Sequence, residues 1–180
     1  VNLLAMELCL PEDPCALAEV IANGPIRPIF TGYVGDRLFL VVASVGFDAD
    51  AVNAVSSRLK QSIGKWAYVY AGFRRWLSGG AEDYGLVVEN KERRVSGVLV
   101  ANGLYYGGPF SCVERASVFR PELFACFLKE PGRWGIILNV GALLFGRFAK
   151  RKGVSISEIE TVDVREPAGE PVQADGDVVA

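Results

Sequence analysis

Apolar and polar positions change period several times along the chain, and the changes divide it into helical and extended stretches. Asn2 is placed to cap a short helix over Leu3–Leu8, which Pro11 ends. Asp13 followed by Pro14 reads as the N-cap and first residue of a second helix running to Ile21, closed by Asn23-Gly24. From Ile26 to Phe47 the pattern becomes extended, with strands over Ile26–Tyr33 and Arg37–Ser44 around a Gly35-Asp36 turn. The second strand runs into Ser44–Ala51, SVGFDADA, a small-residue corner that ends in two acids, Asp48 and Asp50. Ala51–Ser78 then returns to helical spacing. Val52, Val55 and Leu59 share one face, Trp66, Tyr70, Phe73 and Leu77 form another, and Gly64 bends or breaks the pair.

After Gly79-Gly80 the pattern is again extended. Strands are predicted over Tyr84–Glu89 and Val95–Ala101, joined through Asn90-Lys91-Glu92-Arg93, and over Leu123–Leu128. Between them Asn102–Phe110, NGLYYGGPF, reads as a loop. Trp134–Phe148 is apolar nearly all round and ends among Arg147, Lys150, Arg151 and Lys152, which predicts a helix that is buried or faces lipid. Ser155–Arg165 is extended, and a Pro- and Gly-containing loop leads to Val172–Asp177. Many short strands with hairpin turns and one long helical stretch predict a mainly β (α+β) domain, a β-sandwich with a helical insertion.

Composition narrows the chemistry. The chain has 180 residues, 51% of them hydrophobic and 22% charged, which excludes disorder and allows one well-buried domain. Its net charge of −2 gives no basic surplus for nucleic acid, so none is expected as a partner. The absence of histidine removes histidine metal sites and every Ser-His or Cys-His nucleophile from within this chain. Cys9, Cys15, Cys112 and Cys126 show no CxxC or zinc spacing, so no protein-bound metal is expected; the thiols read as reduced and mostly buried in a cytoplasmic protein. No apolar run reaches the roughly 20 residues that cross a bilayer.

Each candidate motif has a plain structural reading. Asp48 or Asp50 could hold a polar site at a strand end, or could cap the following helix. Gly107-Gly108 lacks the spacing of a phosphate-binding loop, and Asp175-Gly176 is a common hairpin dipeptide. The helix with the basic end reads first as a core helix whose solvated last turn complements its dipole, with a helix lying on a membrane surface as the alternative.

Their order along the chain is more specific than any one of them. Asn2 with LLA, then LPEDPCALAEVIANG, SVGFDADAV, RLKQSIGKWAYVYAG, NGLYYGGP and VQADGD together resemble the diacylglycerol kinase-like lipid kinases, relatives of sphingosine kinases and NAD kinases. The resemblance runs from Val1 to Asp177. It places Asn2 at the asparagine of the family's GT-x-N motif, near the nucleotide phosphates, and implies that residues 1–180 are the C-terminal, lipid-binding domain. A preceding domain would carry the GGDGT nucleotide-binding motif, so the isolated chain is expected to be inactive. In the family the lipid enters between the two domains, and Mg²⁺-assisted ATP phosphorylates a lipid hydroxyl.

The family's DGE motif falls on Asp175-Gly176-Asp177, which implies Asp177 as general base with Asp175 beside it. It also implies apolar walls for acyl chains from the helical insertion and from Trp134–Phe148. Asp48, Gly107 and Gly108 then become structural residues near the cleft. Two departures stand out: Asp177 is one methylene shorter than the family glutamate, and Arg120-Pro121 replaces the Asp-Gly of the structural Mg²⁺ loop in many bacterial members. A guanidinium cannot ligate Mg²⁺. A lipid-binding or regulatory protein that kept the fold without catalysis is the alternative, and a non-lipid acceptor hydroxyl a weaker one. Peripheral contact with the inner membrane is the expected location of a lipid kinase without a spanning segment.

Overall fold

The computed structural model describes residues 2–46, 83–167, 169 and 171–179. Two helices come first, α1 (Leu3–Glu7) and α2 (Pro14–Asn23). Both start as the capping pattern requires: Ala5 N–H donates to Asn2 Oδ1 at 3.1 Å, and Ala16 N–H to Asp13 Oδ2 at 2.8 Å. Neither helix buries a residue against the rest of the described chain.

Three strands follow: β1 (Gly32–Val34), β2 (Arg37–Phe39) and β3 (Val42–Gly46). The Gly35-Asp36 hairpin is present, with Val34 opposite Arg37. The single strand expected over Arg37–Ser44 is instead two, broken at Leu40-Val41, and most of Ile26–Tyr33 lies outside any strand. The helical insertion over Ala51–Ser78 and Asp48 lie outside the described residues.

The second half supplies β4 (Tyr84–Val88), β5 (Lys91–Val95), β6 (Gly97–Ala101), β7 (Tyr105–Tyr106), β8 (Phe110–Ser111) and β9 (Leu123–Leu128). Then come α3 (Gly132–Leu144), a 3₁₀ turn at Phe148–Lys150, β10 (Val154–Ile159), β11 (Val162–Glu166), β12 (Val172–Ala174) and β13 (Asp177–Val178). Six strands form an antiparallel sheet in the order β10-β9-β6-β3-β12-β13, and three form a second sheet, β11-β4-β5.

The two sheets pack face to face, as expected of a sandwich. Tyr84, Leu86 and Val88 of β4 and Val95 of β5 meet Val45, Val98, Phe127 and Ile159 of the larger sheet. The opposite face of the larger sheet is also covered. Leu99, Phe124 and Cys126 pack there with Cys112, Val113, Ala116 and Phe148. Successive residues of β6 and β9 therefore enter different cores, which is why Leu123–Leu128 reads as an unbroken apolar run rather than an alternation.

Three expectations are corrected by how the chain turns corners. The β4–β5 turn is the pair Glu89-Asn90, both at positive φ (48° and 66°), and the charged Lys91–Arg94 belongs to β5 rather than to the turn. Val95 and Gly97 lie in different sheets, with Ser96 at the crossing. Its N–H donates to Leu128 O at 2.7 Å, and its hydroxyl lies 3.0 Å from the carbonyls of Leu128 and Glu130. Ser155–Arg165 is likewise two strands, β10 in the large sheet and β11 in the small one. At Ser96 and at Glu160-Thr161 the chain changes sheet while the extended pattern continues on both sides, so the period alone does not reveal the break.

The cysteines divide evenly. Cys112 and Cys126 are buried, Cys9 and Cys15 are exposed, and all four are free thiols, which corrects the expectation of mostly buried ones. Burial pushes the Cys126 thiol up from 9.0 to about 12, because the thiolate has no solvent around it. A raised pKa of this kind contributes stability that is complete below pH 9 and is lost as pH rises toward 12, where the unfolded chain ionises first. In native protein at pH 8 a thiol reagent is therefore expected to label Cys9 and Cys15 rapidly, with Cys112 and Cys126 reacting only after denaturant is added. Rapid native labelling of Cys126, read by peptide mass, would contradict the packing described.

Candidate functional site

The Asp175-Gly176 turn joins β12 to β13, with Ala174 opposite Asp177. Asp175 sits at φ 50° and Gly176 at φ 94°, the two-residue hairpin geometry that Asp-Gly favours. The Asp175 carboxylate reaches across to the corner between β2 and β3. It accepts N–H bonds from Leu40 at 2.6 Å (Oδ2), from Val41 at 2.9 Å and from Val42 at 3.0 Å (both Oδ1). Its own N–H donates to Val42 O at 2.9 Å. These bonds explain why the expected strand Arg37–Ser44 breaks: the amides of 40 and 41 point at a carboxylate rather than into a sheet.

The carbonyl side of the same corner is held by Asn102. This side chain is fully buried, and its amide donates to Leu40 O at 2.6 Å and to Phe30 O at 2.8 Å. The backbone N–H groups of Asn102 and Gly103 both donate to Val41 O at 2.9 Å. Helix α1 docks at this point through Glu7, whose Oε1 accepts the Tyr105 N–H at 2.8 Å. A Cβ at residue 103 would lie 2.6 Å from Glu7 Oε1 and 2.8 Å from Val41 Cγ1, so the approach requires glycine.

Gln173 completes the frame. It is buried in β12, accepts the Gly176 N–H at 2.9 Å, and donates to Ser44 Oγ at 3.4 Å. The corner thus gathers α1, the Asn102 loop and the Asp175 turn, and Asp177 follows the turn as an exposed residue of β13.

The residues named from the sequence fall into distinct groups. Asp175 and Asp177 belong to this frame, while Asn2 caps the helix that docks on it. Asp48 lies outside the described residues. Gly107 (φ 64°) and Gly108 (φ 125°) form the turn of the β7–β8 hairpin, and side chains added there would touch nothing closer than Phe110 Cε2 at 4.0 Å. Their conformation accounts for them without a ligand. Arg120 is exposed, and its N–H closes a turn on Ser117 O at 2.9 Å. Among the described residues no three acids or cysteines cluster in a way that could hold a metal ion.

Asn102 and Gln173 are the polar residues the sequence did not single out. The only signal for either was position, Asn102 opening NGLYYGGP and Gln173 preceding the Asp-Gly turn.

Residues 41–180 match the family described as the YegS C-terminal NAD kinase beta sandwich-like domain. The chain belongs to this family. A Chromohalobacter salexigens protein named "Probable lipid kinase YegS-like" is 33% identical over 109 residues, 59% of this chain and 35% of that protein. A Pseudomonas putida protein of the same name is 33% identical over 67 residues, 37% of this chain and 22% of its own length. Among solved structures, one from Bacillus anthracis str. Sterne aligns over 96% of this chain and 57% of its own, with a TM-score of 0.72 and 16% identity. Another from the same organism, described as a diacylglycerol kinase, aligns over 97% and 56%, with a TM-score of 0.62 and 13% identity. The structural likeness carries the fold, and the YegS-type chain spans only part of the length of each of these relatives.

The two acids of the turn differ in what they hold, and stability separates them. Asp175→Ala leaves three amides without their acceptor and is expected to cost about 2–4 kcal/mol in urea unfolding. Asp177→Asn, at an exposed position, is expected to stay within about 0.5 kcal/mol. Equal effects from the two substitutions would contradict the roles drawn from the geometry.

Proposed function

We propose that this chain is the C-terminal, lipid-binding domain of an ATP-dependent lipid kinase that phosphorylates a hydroxyl of a diacylglycerol-like lipid. The observation that carries the reading is the frame around the Asp175 turn, in a domain whose curated relatives are named as lipid kinases. In this proposal Asp177 is the general base. The lipid hydroxyl oxygen attacks the γ-phosphorus of ATP, its proton passes to the Asp177 carboxylate, the bond from the γ-phosphorus to the bridging oxygen breaks, and ADP leaves. Mg²⁺ arrives with ATP as part of the substrate, and no step here runs through a metal held by this chain.

Asp175 is a positioning residue. With both carboxylate oxygens committed to the backbone of residues 40–42, it fixes the turn that precedes Asp177. Asn2, at the start of α1, is assigned to the nucleotide side.

A further feature supports a domain that works with another. Among the described residues α1 and α2 carry no fully buried side chain, and Val20 and Ile21 are exposed on α2 and Ile26 beyond it. We assign that face to contact with a nucleotide-binding domain carrying the GGDGT motif. Beneath α3 lies a cavity of about 80 Å³ lined by Leu99, Leu128, Ile136, Leu143 and Phe148 together with Ser96, Glu130 and Asn139, a volume too small for an acyl chain as it stands.

The test uses the full-length protein with Mg-ATP and dispersed lipid alcohols. Lipid-dependent ADP release is expected, and Asp177→Asn should lower kcat by about 10²–10⁴-fold with little change in KM. Asp177→Glu, which restores the family's longer acid, should retain activity. Absence of turnover with a range of lipid alcohols, while lipid still binds, would replace the kinase reading with that of a non-catalytic lipid-binding protein. An unchanged rate in Asp177→Asn would remove Asp177 from the chemistry.

A further inference from the structure

Helix α3 presents apolar side chains both to the protein and away from it. Gly135 and Ile136 are buried, and Leu143 packs on the core of the large sheet. On other sides Trp134 is 76% exposed and Phe145 79%, with Ile137, Leu138, Val140 and Leu144 also exposed. A helix meant for water on its outer side would carry polar residues there. Instead Asn139 is the only uncharged polar side chain between Gly132 and Leu144, and it is turned inward, accepting a bond from Arg151 at 2.7 Å.

The charge carried by this stretch has one sign. No acid occurs between Gly132 and Gly153, although the whole chain carries a net charge of −2. Arg147, Lys150 and Lys152 are exposed at the C-terminal end of α3 and its following turn. Arg151 is half-buried and anchored by Glu130, which holds its guanidinium at the edge of the surface. Between the helix and this basic turn lies an open groove of about 550 Å³ lined by Leu138, Gly141, Ala142, Phe145, Arg147 and Arg151. Its aliphatic and aromatic wall stands next to two guanidinium groups, the combination that receives the glycerol region and phosphate of a phospholipid.

We infer that α3 and the basic turn after it dock on the surface of an anionic phospholipid bilayer, with Trp134 and Phe145 in the acyl boundary and Arg147, Lys150 and Lys152 against the phosphates. The occupant is a bilayer rather than a protein because the exposed apolar side chains are bordered by the cations Arg147, Lys150 and Lys152, and the adjoining acid, Glu130, is paired with Arg151. Apolar insertion and attraction to anionic head groups then act on the same surface, and neither alone gives firm binding. Among the described residues no helix is long and apolar enough to cross a membrane, so the helix lies on the bilayer instead of spanning it. This face is distinct from the Asp175 corner and orients the whole domain on its substrate's membrane.

The experiment is flotation of the full-length protein with vesicles, without nucleotide, so that its outcome is independent of the kinase reading. Vesicles of phosphatidylglycerol and phosphatidylcholine are expected to carry the protein, and pure phosphatidylcholine vesicles to carry about tenfold less. Trp134→Ser with Phe145→Ser should weaken binding to the mixed vesicles by about tenfold or more, with an unchanged thermal midpoint. Arg147→Glu with Lys150→Glu and Lys152→Glu should abolish the preference for phosphatidylglycerol. Inorganic phosphate at matched ionic strength should leave binding intact. Equal binding to both vesicle types, failure to float with either, or release by inorganic phosphate would each overturn the proposal. So would mixed-vesicle binding that the Trp134 and Phe145 substitutions leave unaltered.

Discussion

A single carboxylate organises the contacts around residues 40–42. Three consecutive amides in a chain corner need acceptors, and no strand is available to supply them without extending the sheet through the corner. Asp175 supplies them from 133 to 135 residues away in sequence, and Asn102 takes the carbonyls of the same segment. Opposite polarities are thus satisfied by two side chains from different elements. The break between β2 and β3, the seating of the β12–β13 hairpin and the attachment of α1 through Glu7 and the Asn102 loop all depend on this exchange.

The division of labour between adjacent acids follows from that constraint. A carboxylate with both oxygens bound to backbone amides is well suited to fixing geometry and poorly suited to collecting a proton during turnover. Two residues later, Asp177 stands on a short exposed strand whose turn is fixed by Asp175, Gly176 and Gln173. In the proposed reading the DGD sequence is a rigid turn followed by the general base.

The surfaces proposed for membrane contact and for catalysis lie on different parts of the same sheet. The corner lies toward β3 and β12, whereas α3 covers the face formed by β6, β9 and β10. A cytosolic surface helix could not afford the apolar exposure of Trp134 and Phe145, but a helix resting on lipid has no such penalty. The Glu130–Arg151–Asn139 network beneath it keeps the basic turn attached to the sandwich, so that charge and apolar surface remain side by side.

Local chemistry was legible in the chain. Asn2 and Asp13 announce helix starts because a short polar side chain before an apolar run satisfies free amides, and Gly35 and Gly176 announce hairpins because they tolerate positive φ. The β-rich class and the apolar, basic-ended helix were legible for the same local reasons. The strand breaks at Leu40-Val41, Ser96 and Glu160-Thr161 were not, because the extended pattern continues across them and only a change of sheet or a distant acceptor marks the corner. Asp175 shows the limit most clearly. By sequence it is a turn residue or a member of an acidic pair; its role as the acceptor for Leu40, Val41 and Val42 exists only once the fold has brought the ends of the chain together.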